Sequence, residues 1–187
     1  MVMGCSAMQL EEVALPQPAL RIEEYFQGQT WAWGLFEDRF GKVRRQFQVL
    51  IEGQYQQGQL HLDEHFIYND GETQQRSWML QPQVKGRYQG QAADVIGEAK
   101  GQVSGNAFNW HYEMWLPLGE GQYRVRFNDW MYLQPGLVLI NTARVRKWGV
   151  ELGRVTLFFT KHAPADRHTW LDYRPPNHAK QGWGGND

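Results

Sequence analysis

The chain has 187 residues, a formal net charge of -1 from 19 basic and 20 acidic side chains, and 14% aromatic residues, nine of them Trp. A length of this order buries one sizeable core without a staple. The balanced charge, with only Arg44-Arg45 and the run from Arg144 to Lys147 as basic clusters, excludes the one-signed patch of a nucleic-acid protein.

One cysteine, Cys5, rules out an intrachain disulfide and a cysteine metal cage. No apolar run approaches the ~20 residues of a membrane-spanning helix. Along the chain, residues 1–19 hold Pro16 and Pro18 without periodicity and read as a leader or tether. Residues 20–27 predict one short helix with Leu20, Tyr25 and Phe26 turned inward.

From Thr30 to His162 the hydrophobic period becomes two, broken by turn signals. These are Phe40-Gly41, Gly53 to Gly58, Asn69-Asp70-Gly71, Lys85-Gly86, Gly105-Asn106, Gly119 to Gly121, Pro135-Gly136 and Trp148-Gly149. Short turns join antiparallel neighbours, so the chain reads as an up-and-down meander of about nine or ten strands. Such a meander curls and closes to remove its edges. The expected fold is therefore an all-β, lipocalin-like or fatty-acid-binding-like barrel over residues 20–162, with a two-sheet sandwich as the alternative. Residues 163–187, with Pro175-Pro176 and a Gly-rich end, read as an extended tail.

Side chains alternate across a strand, so parity sorts each segment into two faces. The apolar face of 43–51 carries Val43, Phe47, Val49 and Ile51 together with Arg45. On 60–68, Glu64 joins Leu60, Leu62, Phe66 and Tyr68; on 76–80, Arg76 joins Trp78 and Leu80. Asp129 sits among Val125, Phe127 and Met131, and Asn141 among Leu137, Leu139, Ala143 and Val145. Five strands thus each place one polar residue on an apolar face. A buried charge must be paired, hydrated or met by a ligand. The functional reading is a ligand site of Arg45, Glu64, Tyr68, Arg76, Trp78, Asp129 and Asn141 in an apolar lumen. The alternatives are an internal ion-pair network and bulges that turn these residues outward. Gly97, Gly101 and Gly105 share one parity, which suits strand curvature or free space in a lumen.

Catalytic signatures are missing. His61 and His65 have a helical metal spacing, but in a strand four residues span ~13 Å, too far for one ion. No G-x-S-x-G elbow occurs, and neither a metal nor a cofactor is implied. Glu64 with Asp129 is the one candidate acid–base pair.

Gly4-Cys5-Ser6 looks like the end of a bacterial lipoprotein signal, although the charged and apolar regions that should precede it are missing. Residues 24–162 carry dispersed stretches of the same flavour: Glu24-Tyr25-Phe26, Ala32-Trp33-Gly34, Asp38-Arg39-Phe40-Gly41, Leu62-Asp63-Glu64 and Tyr68-Asn69-Asp70-Gly71. Asp94-Val95-Ile96-Gly97, Gly105-Asn106-Ala107 and Asp129-Trp130-Met131-Tyr132 continue them. Together they resemble a family of uncharacterised bacterial lipoproteins, a domain of unknown function. Asn128 stands where that family's pattern has a second Asp. The resemblance implies an envelope location, on the periplasmic side of the outer membrane, and an association with fatty-acid-modifying systems. It implies lipidation at Cys5, with the membrane met through that anchor.

The expected function is a lipid-anchored envelope barrel that binds an apolar or amphiphilic, fatty-acid-like ligand. Arg45 or Arg76 would meet its carboxylate, Tyr68 would add a hydrogen bond, and Trp and Phe side chains would line the tail. A lipid-acting enzyme using the lumen carboxylates, and a structural envelope protein whose barrel is filled by its own side chains, are the alternatives.

Overall fold

The computed structural model describes residues 8–118 and 121–165. Cys5 and most of the C-terminal segment lie outside these residues. Two short helices, α1 (Leu10–Val13) and α2 (Ile22–Tyr25), precede the strands β1 (Gly28–Asp38), β2 (Val43–Gln56), β3 (Gln59–Tyr68), β4 (Thr73–Pro82) and β5 (Arg87–Ala92). The strands β6 (Ala99–Ser104), β7 (Ala107–Leu118), β8 (Gly121–Gln134), β9 (Val138–Lys147) and β10 (Val150–Thr160) follow. Each strand pairs antiparallel with its sequence neighbour, and β1 pairs with β10, so the described strands close a ten-stranded barrel. The meander expected from the turn signals is present, and the sandwich is excluded by closure.

The seam is in register over its length, with Trp33 opposite Phe158 and Asp38 opposite Gly153. Inward parity supplies the core: Ile51 on β2, Leu60 and Leu62 on β3, Leu80 on β4, Phe108 on β7, Leu139 on β9 and Phe159 on β10 are all buried. Aromatic rings lock this half together. Phe108 stacks on Trp110 with centroids 5.5 Å apart and meets Tyr88 edge-on at 5.5 Å.

Helix α2 seals this end of the barrel. The Tyr25 hydroxyl donates to the Leu137 carbonyl at 3.0 Å, and Phe26 packs edge-on against Phe159 at 5.9 Å. The Tyr88 hydroxyl donates to buried Glu23 at 2.6 Å. Gly53 is not part of a turn but lies in β2 directly under the plug, where a Cβ would run into the Phe26 carbonyl oxygen. The turn is confined to Gln57-Gly58.

Residues 8–19, read from sequence as part of a tether, contain α1 and rest on the barrel. Leu10 is buried. The Leu15 amide donates to Asn106 Oδ1 at 2.7 Å, the Leu15 carbonyl accepts from the Asn106 amide at 2.8 Å, and Asn106 Nδ2 donates to the Leu133 carbonyl at 3.0 Å. The buried Asn106 side chain therefore staples the incoming chain to the sealed end.

The three glycines expected on one strand face are separated. Only Gly101 is in β6, pressed against Trp110 and Phe108; Gly97 and Gly105 occupy the flanking turns with φ of 72° and 51°. Segment 93–98 is a turn rather than a strand. It folds onto β7 through a bridge between Val95 and Met114, with the Ile96 amide donating to the Glu113 carbonyl at 2.7 Å.

Candidate functional site

The end opposite α2 carries the β1–β2, β3–β4, β5–β6, β7–β8 and β9–β10 connections. There the inward-facing residues Phe47, Phe66, Phe127, Val155 and Leu157 keep partial accessibility, unlike their counterparts at the sealed end. The wall is not uniform. Met114, Val125 and Val145 are buried where the 93–98 turn covers β7. The barrel is a cup whose accessible apolar lining lies on β2, β3, β8 and β10.

All five polar residues singled out by parity face inward, as the register requires. Glu64 and Arg76 are cross-strand neighbours on β3 and β4. Asp129 pairs in register with Trp110 and Ala143, and Asn141 with Met131 and Leu157. Bulging does occur on β2, where the register slips between Phe36 and Glu37, but it falls before Arg45 and leaves that residue buried. The slip instead puts Val43 on the surface, and Leu137, in a turn with φ 61°, is exposed as well.

The five residues form two groups at different depths. At the rim, Arg45 Nη2 bonds Asp70 at 2.9 Å and Glu72 at 2.7 Å, and its guanidinium lies 3.6 Å from the centre of the Tyr68 ring. The Tyr68 hydroxyl donates to Gln74 at 2.9 Å. The Arg45 partners are therefore the turn carboxylates, not Glu64 or Asp129.

Deeper, Arg76 Nε and Nη2 bond Asp94 Oδ2 at 3.0 and 2.9 Å. Asp94 comes from the 93–98 turn and was not among the residues expected at the site. Its signal in the sequence was the Asp94-to-Gly97 turn pattern itself. Arg76 also attracts Glu64 and, from the far wall, Asp129.

Electrostatics divide these carboxyls. Burial, opposed by Arg76 and the Trp78 indole and reinforced by Asp94, pushes Glu64 up to about 7. Burial likewise pushes Asp129 up to about 8, with Arg76 opposing and Glu64 reinforcing. One arginine thus serves three acids; Asp129 stays largely protonated near neutrality, while Glu64 titrates close to it. Between the walls stands Tyr112, stacked on Phe127 at 5.0 Å and edge-on to Trp78 at 5.2 Å.

The deepest members lack partners. Asn141 is 1% exposed, and neither its Oδ1 nor its Nδ2 makes a hydrogen bond; Asp129 is 7% exposed, and its Oδ1 makes none. A buried polar atom left unsatisfied costs about 1–3 kcal/mol. Three such atoms on adjacent strands, facing the lumen, are a place where a donor–acceptor group of another molecule would be held. Two shallow grooves mark the outer wall, one over Trp33, Gln46, Gln48 and Ile67, the other between α1 and the β6–β7 surface. Neither gathers a charged cluster of this kind.

Comparison with known proteins agrees with the fold. The family described as "Protein of unknown function (DUF3833)" matches residues 1–161. No curated protein matches the chain. Among solved structures, the S-type phycobiliprotein lyase CPES from Guillardia theta is similar with a TM-score of 0.55 at 5% identity, covering 76% of this chain and 92% of that one. At that identity the likeness shows a shared barrel fold and nothing more.

Proposed function

The chain belongs to the DUF3833 family of proteins of unknown function, and, since membership brings no activity with it, we propose from the site itself that the barrel binds a small amphiphilic, fatty-acid-like ligand. The observation that carries this reading is the unpartnered Asn141 amide beside the unpartnered Asp129 Oδ1, both on the lumen face. The ligand's polar head would reach these atoms, with Arg76 and Glu64 above them. Its tail would lie on Phe47, Phe66, Phe127 and Leu157, which share the inward parity and are only partly buried. A carboxylic acid head held in its neutral form offers one donor and one acceptor, which complements an amide.

Titration of the purified chain with a fluorescent fatty acid, displaced by the unlabelled acid, tests the reading. Saturable one-to-one binding is expected. Absence of binding would leave the barrel filled by its own side chains. We further propose that the protein is an envelope lipoprotein acylated at Cys5, as its Gly4-Cys5-Ser6 pattern suggests. Intact mass of protein extracted from its native membrane should exceed the sequence mass by the acyl groups; an unmodified Cys5 would end that proposal.

A second reading rests on Glu64. A carboxyl pushed up to about 7 is suited to general acid–base work near neutrality, and a lipid-acting enzyme would use it with Asp129. Turnover of an ester or acyl substrate, abolished in Glu64→Gln, would favour this over simple binding.

A further inference from the structure

The open rim carries a second feature that the lumen does not use. Phe40, in the β1–β2 turn, is 79% exposed, and Trp148, in the β9–β10 turn, is 89% exposed. The two turns are neighbours, because β1 pairs with β10 and the Arg39 amide donates to the Leu152 carbonyl at 2.9 Å. Val43, Val150 and Tyr123 add further exposed apolar surface beside them.

Trp148 is held at φ 51° and followed by Gly149 at φ 83°. Those are the angles of a tight hairpin turn whose first position favours Asn or Gly. A tryptophan there meets both an unfavourable backbone conformation and nearly full exposure to water. Among the described residues, the charged partner of its ring is Lys147, with Nζ 4.4 Å from the centroid.

The cations of the rim are arranged around these rings. Lys147 Nζ also lies 3.5 Å from the Tyr123 centroid, and the Arg39 guanidinium lies 4.7 Å from that of Phe40. Two of the acids nearby are engaged, Asp38 with Arg44 at 2.6 Å and Glu151 with Arg146 at 3.8 Å, and the third, Glu37, lies back in β1 opposite Arg154. Among the described residues none is within ion-pair distance of Arg39, Lys42 or Lys147. Exposed aromatic tips flanked by free cations, on a chain whose net charge is -1, match the bilayer interface. There, amphipathic rings settle at headgroup level and Lys and Arg meet anionic lipid.

We propose that the rim formed by the β1–β2 and β9–β10 turns docks on a lipid bilayer bearing anionic headgroups, so that the open end of the barrel faces the membrane. This contact is separate from any lipid on Cys5 and does not depend on what the lumen binds.

Cosedimentation of the full chain carrying Cys5→Ser, which removes acylation, provides the test. The probe is vesicles of equimolar phosphatidylcholine and phosphatidylglycerol, against phosphatidylcholine alone. Binding should favour the anionic vesicles and weaken as salt rises. The double variant Phe40→Ala/Trp148→Ala should lose roughly tenfold or more in partitioning. Lys42→Gln and Lys147→Gln should each lose about fivefold, on anionic vesicles only. The aromatic variant should melt like the parent, since both rings are outside the core. It should also keep the parent's affinity for a free fatty acid in solution, which separates loss of docking from loss of ligand binding. Equal partitioning of parent and variants, no binding to either vesicle, or self-association through these rings without vesicle binding would each overturn the proposal.

Discussion

Replacing Asn141 by Leu sets stability against function. The two side chains are close in size, and position 141 faces the lumen at 1% exposure, with Met131 and Leu157 beside it in register. Neither amide atom has a hydrogen-bond partner. Exchanging such a group for an apolar one of similar shape removes a desolvation penalty of about 1–3 kcal/mol. For a chain of this length each kilocalorie is worth roughly 2–4 °C in melting temperature, so Asn141→Leu should melt several degrees higher. The same change removes one donor and one acceptor from the ligand's head. At about 0.5–1.5 kcal/mol for each bond lost, fatty-acid affinity should fall roughly ten- to a hundredfold. Calorimetric melts of the ligand-free protein, paired with fluorescent fatty-acid titration, read both effects. A melting point lowered by several degrees with affinity intact would refute the reasoning. It would mean that an internal water already satisfies the amide and that its role is structural.

Asp129 supplies a pH signature. Its carboxyl is raised to about 8 in the folded protein against ~3.9 unfolded, so the native state holds a proton that the unfolded chain has released. Its stabilising contribution is full below pH ~4 and is lost as pH rises toward 8, with a slope of up to ~1.4 kcal/mol per pH unit. Asp129→Asn should flatten that part of the profile in urea denaturation at pH 5, 7 and 9; parallel profiles would contradict it. The arginines should separate. Arg76→Met should weaken fatty-acid binding roughly tenfold, whereas Arg45→Met, which breaks the rim pairs with Asp70 and Glu72, should cost about 1–3 kcal/mol of stability and leave affinity near the parent's. Gly53→Ala should destabilise by about 1–3 kcal/mol in chemical denaturation, because the new methyl displaces the Phe26 carbonyl and with it the α2 plug. An unaffected midpoint would mean that α2 does not hold that end closed.

Parity alone identified the inward polar residues, because a period of two holds wherever a strand stays paired without a bulge; it failed for Val43, beyond the slip in β2, and for Leu137, in a turn. Arg45, Glu64, Arg76, Asp129 and Asn141 all lie on the side it assigned. What parity cannot supply is height along the barrel, which is set by the stagger of strands far apart in sequence. Arg45 therefore looked equivalent to Arg76, yet the structure puts one at the rim with turn carboxylates and the other deep in the lumen.

Asp94 was missed for a related reason. Glycines at 97, 101 and 105 mimic a continuous strand, whereas Gly97 turns the chain so that Asp94 meets Arg76. Helix α1 and the Leu15–Asn106 staple were equally illegible, since four residues without periodicity become ordered only through a partner about ninety residues away.

The most direct test of a ligand held at the Asp129–Asn141 corner is the side-chain amide signal of Asn141 in a proton–nitrogen NMR spectrum, assigned by its disappearance in Asn141→Leu. Titration with unlabelled fatty acid should shift this signal saturably at one equivalent, together with the indole signals of Trp78 and Trp110. An unmoved Asn141 amide, with shifts confined to the outer-wall grooves around Trp33 or Trp130, would place the ligand outside the barrel and contradict the account.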